Sequence, residues 1–196
     1  MTDIVDAYRN LSLKVYAGLD WYNRYCSDVT YFMKIDEDVV LHVDRLVYFA
    51  KTEFQSNSNK TIFCATWTEA KVYRNKNSKL YISKELYKPE IYPTFCSGAT
   101  YLISAEAANV ILKKAADYPR FPIDDILYTG VLAEATNASR VDKRGIFWRK
   151  YAKMDKSACD VSGVPRLATM YEYKTPEALK KAYSMLNKIK CANEKL

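Results

Sequence analysis

Tyr31-Phe32-Met33-Lys34-Ile35 is followed at once by three carboxylates, Asp36-Glu37-Asp38. A short run of mainly apolar residues fits a buried strand better than a helix. Carboxylates cannot sit unpaired inside such a strand, because burying a free charge costs too much. The acidic triplet therefore belongs just past the strand's C-terminal end, the edge where open α/β sheets bind ligands. Two aspartates one residue apart on a turn there can hold a hard divalent cation, whose remaining positions go to water or phosphate oxygens. The same triplet also suits a plain strand-to-helix turn with capping acids, since Asp44 and an apolar helical stretch follow. The residues alone leave both readings open.

The surrounding chain reads as alternating helices and strands. Ile4, Val5, Tyr8, Leu11, Val15 and Leu19 recur at three- and four-residue steps, which predicts an amphipathic helix over 4–20. Gly18 either ends that helix or marks close packing, and residues 21–28 read as a connector. The pattern predicts a strand over 29–35, a helix over 44–50 and a strand over 61–66. Two short β-like runs, 72–74 and 80–83, flank Asn75-Lys76-Asn77-Ser78 and suggest a hairpin or a local excursion. Pro89 and Pro93 make an irregular loop. Gly98 then lies among small residues, where a backbone can approach a ligand closely. Ser104 is a good N-cap for a helix over 105–116, which Asp117-Tyr118-Pro119 should stop. A second acidic pair, Asp124-Asp125, precedes a helical or extended core segment over 126–135. Residues 140–172 read as irregular. Thr175-Pro176-Glu177 starts a final helix whose apolar face is Ala178, Leu179, Ala182, Leu186 and Ile189. Without repeats or linkers, 1–196 reads as one domain.

Charge is unevenly placed. Residues 140–196 carry 14 Lys+Arg against 6 Asp+Glu, whereas residues 1–139 carry 16 against 17. The basic residues are scattered and no nucleic-acid motif accompanies them, so a solvated face is expected and no nucleic-acid partner. Seventeen tyrosines suit a cleft for a polar ligand. Five cysteines, none in a zinc spacing, and a single histidine argue against a zinc site. In an oxidising compartment one or two disulfides form and one cysteine is left over. Three N-x-S/T sequons, at Asn10, Asn59 and Asn137, are compatible with such a compartment. No apolar run approaches the ~20 residues that span a bilayer, and the acidic N-terminus is no signal peptide.

Two acidic sites about ninety residues apart suit a metal-bound nucleotide sugar at one and a general base at the other. Nucleases and phosphatases also separate carboxylates around metals. The order of motifs is more specific. Asp6-x-Tyr8-x-Asn10-Leu11-Ser12-x-Lys14, then Trp21 and Cys26, Lys34-x-Asp36-Glu37-Asp38-Val39, Val72-x-Arg74 with Lys79 and Ser83, Tyr92-Pro93-x-Phe95-Cys96-x-Gly98-x-x-Tyr101-x-x-Ser104, and Asp124-Asp125-Ile126 occur in succession. Together they resemble the β-1,3-galactosyltransferase family, the hexosyltransferases of glycosyltransferase family 31, over about residues 4–135.

The resemblance implies an α/β fold of the GT-A type, with a mixed, mostly parallel central sheet flanked by helices. It implies an inverting transfer of galactose, N-acetylglucosamine or N-acetylgalactosamine from a UDP-sugar to a glycan on a glycoprotein or glycolipid, in β-1,3 linkage and with manganese as cofactor. Asp38, with Asp36, would ligate the metal. Asp36, Glu37, Gly98, Arg74 and Lys79 would bind the donor, and Asp125, or alternatively Asp124, would be the catalytic base. The implied setting is the Golgi lumen, with a single N-terminal anchor as the only membrane attachment. The family's anchor and first strands are expected to lie outside this sequence, and a chain lacking those strands is expected to be poorly stable alone. Glu37 stands where the family has aspartate, Asp124 where it has glutamate, Asp125 is one residue further from Gly130 than expected, and no histidine follows His42 to serve as a further ligand. A catalytically inactive relative that binds a glycan or a protein is the alternative.

Overall fold

A computed structural model describes residues 3–26, 28–57, 59–118, 121–149 and 158–191. The main sheet is organised on a ten-residue strand, β4 (Phe95–Ser104), and has the order β1 (Tyr31–Ile35), β4, β3 (Thr61–Trp67), β5 (Ser139–Asp142). β4 runs antiparallel to both β1 and β3, and β3 and β5 pair in parallel. The sheet is mixed, as expected, but it is not mostly parallel. β1 and β3 do point the same way, as a helical crossover between them requires. However, β4 is inserted between them, and it returns from β3 through residues 68–94, which contain no crossover helix. A second sheet has the order β2 (Val40–Leu41), β7 (Thr169–Tyr171), β6 (Phe147–Arg149). It gives strands to a stretch whose sequence reads as irregular.

Among the described residues, five α-helices flank the sheets: α1 (Leu11–Tyr25), α2 (Val43–Phe49), α3 (Ala105–Ala115), α4 (Leu132–Ala135) and α5 (Pro176–Lys188). α1 starts later than its apolar period suggests, after a 3-10 turn at Tyr8–Asn10, and runs on through the expected connector. Gly18 does not end it. A Cβ there would lie 3.5 Å from the Phe32 ring, an ordinary contact, so packing at this position does not demand glycine. α2 runs on in a π-helical turn, Ala50–Phe54, and a second π-helical segment, Ile126–Val131, leads into α4. The Ser104 hydroxyl caps α3 by accepting from the Ala107 N–H, and Thr175 caps α5 from Ala178 in the same way. Pro119, the expected stop of α3, and residues 150–157 of the basic stretch lie outside the described residues. Residues 72–83 form an excursion without strands, closed by the Ile82 N–H donating to Tyr73 O at 3.0 Å.

The larger apolar core joins α1 and α3 to the main sheet through Leu19, Ile62, Ile103, Ile111 and Leu132. A second core, on which α2 packs, stacks Phe54 on Phe63 with ring centroids 4.4 Å apart. A third lies under the expected apolar face of α5. Two disulfides are formed, Cys64–Cys96 and Cys159–Cys191, and Cys26 is a free thiol.

Candidate functional site

β4 is bulged, and the bulge makes the site. Cys64 pairs with Tyr101 and Thr66 with Cys96, so β3 advances by two residues where β4 advances by five. The extra residues, around Ser97-Gly98-Ala99, leave the β3 ladder beside the Cys64–Cys96 bond and turn toward β1. There the Asp36 N–H donates to Ala99 O at 2.9 Å, which fixes the acidic turn against the bulge. Bulges commonly re-aim a strand beside a functional site.

Lys34 joins the two acidic segments. Its side chain is only 14 % exposed, and Nζ lies 2.6 Å from Asp36 Oδ1 and 3.8 Å from Asp124 Oδ2. It also donates to the carbonyl of Gly98. One nearly buried ammonium thus ties together the turn after β1, the β4 bulge and the segment before α4. Asp124 Oδ2 is buried and makes no hydrogen bond among the described residues. Burial raises the Asp124 carboxyl above its usual range; Lys34 pulls it down and Asp36 pushes it up.

Asp125 lies against Gly98. A Cβ on Gly98 would come within 2.9 Å of Asp125 Oδ2 and 3.1 Å of its Cγ, so only glycine admits this carboxyl. Asp125 Oδ1 accepts from the Ile126 N–H at 2.8 Å, and the Thr129 hydroxyl donates to Asp125 O at 2.6 Å. The Cys96 N–H in turn donates to that hydroxyl at 2.8 Å, joining the π-helical segment to the bulge. π-bulges are frequent at functional sites. Burial, then the charge of Asp124, raises the Asp125 carboxyl to about 7. A carboxyl with that value is ionised about half the time at neutral pH and can take up a proton there.

Asp36, Asp38, Gly98, Asp124 and Asp125 all line one cleft of about 830 Å³, together with Tyr8, Tyr73 and Glu172. An adjoining cleft of about 1050 Å³ shares Lys34, Asp36, Asp38 and Asp124, and Glu37 faces this one alone. Arg74 lines neither. Its guanidinium donates to the carbonyls of Ile82, Tyr87 and Pro89 at 3.0, 2.9 and 2.7 Å, holding the excursion together. Lys79 is likewise outside both clefts, with Nζ 5.0 Å from the centroid of the Tyr8 ring. Lys34 enters the sequence reading only as part of a motif and without a role, although a lone lysine in an apolar strand beside three acids is a visible signal. Tyr101 was expected only as part of a motif. Its hydroxyl is fully buried and without a hydrogen bond among the described residues, and burial and both distal aspartates raise it well above its usual value.

Asp36 and Asp38 fit a hard cation in part. Burial and the Asp36 charge raise the Asp38 carboxyl, an excess of negative charge that a cation would relieve. Among the described residues no group of three or more His, Cys, Asp or Glu converges, so any further ligands would be phosphate oxygens or water. No described helix is long and apolar enough to cross a membrane.

A family model described as galactosyltransferase matches residues 1–144. Beta-1,3-galactosyltransferase 1 of Homo sapiens is 32% identical over 129 residues, which cover 66% of this chain and 39% of that protein. Beta-1,3-galactosyltransferase 2 of Mus musculus is 29% identical over 182 residues, 91% of this chain and 41% of that protein. The chain thus spans about two fifths of the length of these relatives.

Proposed function

Since the chain belongs to the galactosyltransferase family, we propose that it carries the donor-binding and catalytic centre of an inverting, UDP-sugar-dependent hexosyltransferase. The sugar transferred is galactose, or another hexose of the N-acetylglucosamine or N-acetylgalactosamine kind, and the linkage is β-1,3 to a glycan on a glycoprotein or glycolipid. The observation that carries this reading is the meeting of two acidic segments in one cleft, with Asp125 held against Gly98 at a value of about 7.

Asp125 takes the proton from the acceptor hydroxyl. The hydroxyl oxygen attacks the anomeric carbon from the face opposite the diphosphate, the bond from that carbon to the phosphate oxygen breaks, and UDP departs with inversion. Asp124 and Lys34 set the field around that base. Asp38 and Asp36 would hold a divalent cation, manganese by the family's pattern, which supplies charge to offset the departing diphosphate. Gly98 keeps the donor-sugar side of the cleft open beside Asp125. Both disulfides fit an oxidising lumen, for which the Golgi is the reading.

The test is UDP release by the natural full-length protein with UDP-galactose, UDP-N-acetylglucosamine and UDP-N-acetylgalactosamine, each with β-linked sugar acceptors. Release that needs both donor and acceptor supports the proposal. UDP binding without release from any donor identifies a catalytically inactive relative.

A further inference from the structure

Three sequons have no part in the proposed chemistry, and the fold treats them differently. Asn59 and Asn137 are both exposed and stand two residues before the first residues of β3 and β5. Those strands are parallel and pair Thr61 directly with Ser139, so the hydroxyl residues of the two sequons are neighbours across the ladder. The Ser139 N–H donates to Lys60 O at 2.7 Å, which ties the two turns together. Asn137 has a φ of +54° and follows α4 with the Asn137 N–H bonded to Glu134 O and the Ala138 N–H to Ala133 O. This is the left-handed helix cap that asparagine fills well, and it leaves the side chain outside the helix.

Asn10 differs in its own surroundings, although the sequon hydroxyl of Asn59, on Thr61, is also buried and donates to Asn59 O at 2.8 Å. Asn10 is half-buried, and its own amide donates to Val5 O at 2.9 Å. Its sequon hydroxyl, on Ser12, is buried and donates to Phe121 O, while the Tyr128 hydroxyl donates to Ser12 O. Leu11, between them, lines both acidic clefts. A branched sugar on Asn10 would have to displace packed groups at the mouth of the site.

We propose that Asn59 and Asn137 are a paired N-glycosylation site and that Asn10 is left unmodified. In the transfer, the side-chain amide nitrogen forms a bond to the anomeric carbon of an oligosaccharide carried on a lipid diphosphate. The bond from that carbon to the phosphate breaks, the lipid diphosphate departs, and the amide loses one proton. Tyr31, Ser104, Thr61 and Ser139 mark one end of the sheet, and the acidic turn follows Ile35 at the other. The four steps from Tyr31 to Ile35 separate the two ends by about 13 Å, so sugars on this pair leave the cleft open. They also stand over the start of β5, the edge strand of the main sheet among the described residues.

The inference rests on the lumenal reading above, and its test separates the two. The natural full-length protein is made in a eukaryotic cell, and peptide-N-glycosidase shifts and glycopeptide masses are read for the wild type, Asn59→Gln, Ser139→Ala and Asn10→Gln. Ser139→Ala removes the sequon without touching the Asn137 cap. Within residues 1–196 the expected result is two glycans on the wild type, one on Asn59→Gln, one on Ser139→Ala and two on Asn10→Gln. A glycan on Asn10, or none on either Asn59 or Asn137, overturns the proposal. If glycans are lacking while Cys64–Cys96 is oxidised, the lumenal reading stands and this inference alone fails. If they are lacking and both thiols are reduced, both fail.

Discussion

At Asp125 the same burial that prepares the carboxyl also strains it. Its folded value, about 7, lies above that of an unfolded aspartate, about 3.9. The folded state therefore binds the extra proton between those values, and stability falls as pH rises through that window and stays low above it. Asp125→Asn should raise the melting temperature at pH 8 but hardly change it at pH 4, as differential scanning fluorimetry will read. Turnover should fall by roughly 10²–10⁴-fold, the usual cost of a lost general base. In the wild type, turnover should rise with pH through about 7, because the base has to be ionised. Asp124→Asn should lower turnover much less. If the two mutants behave the other way round, the base is Asp124. Gly98→Ala tests the neighbouring contact. Its methyl would force the Asp125 carboxyl aside, so turnover should drop at least tenfold with little loss of fold, measured by circular dichroism beside the rate. The placement of much of this cleft is legible in the sequence: the acidic turn follows its strand, and the second acidic pair, Asp124-Asp125, lines the same cleft. The reach of Lys34 is not legible, because a single residue type carries no sign of which distant carbonyl and carboxylates it will meet.

Arg45 shows the same limit for whole elements. It reads as an ordinary helix residue, yet it is 7 % exposed and donates to Leu167 O, Leu186 O and Ile189 O at 3.1, 2.9 and 2.9 Å. A cation on the last carbonyls of a helix satisfies acceptors that the helix itself cannot and complements its dipole. Arg45 thus fastens the C-terminal end of α5 to α2. Arg45→Met should cost about 2–4 kcal/mol, since buried acceptors are left unpaired. The loss should appear first as faster hydrogen exchange in Pro176–Lys188, while β3 and β4 stay protected. Uniform loss across the chain would mean that α5 is not a separate cooperative unit. Helix starts at Ser104 and Thr175 were legible because a cap is a local bargain between one side chain and one N–H. Strand direction was not. The reversal of β4 depends on what the chain from 68 to 94 does, and no periodicity in that stretch records it.

Across the whole molecule, the Cys64–Cys96 bond crosses the two central strands where their ladder breaks. A bond closing 32 residues stabilises by about 3–4 kcal/mol through the unfolded chain. Cys64→Ser with Cys96→Ser should lower the urea midpoint accordingly and also loosen the Gly98 bulge, so that turnover falls further than stability alone explains. Equal stability would place the bond outside the folding balance. The cysteine count allows one or two disulfides only on condition of an oxidising compartment, and the pairing of Cys64 with Cys96 depends on a bulge that adds residues to one strand alone. The clefts also draw their walls from both ends of the chain, Tyr8 near one and Tyr171, Glu172 and Tyr173 near the other. On a ribosome adding roughly 5–20 residues per second, the acidic turn is made on the order of ten seconds before its last wall. β2 waits as long for β7, its partner strand among the described residues. The newborn chain therefore holds Lys34 and the acidic turn for that interval before the walls from residues 171–173 can close around them.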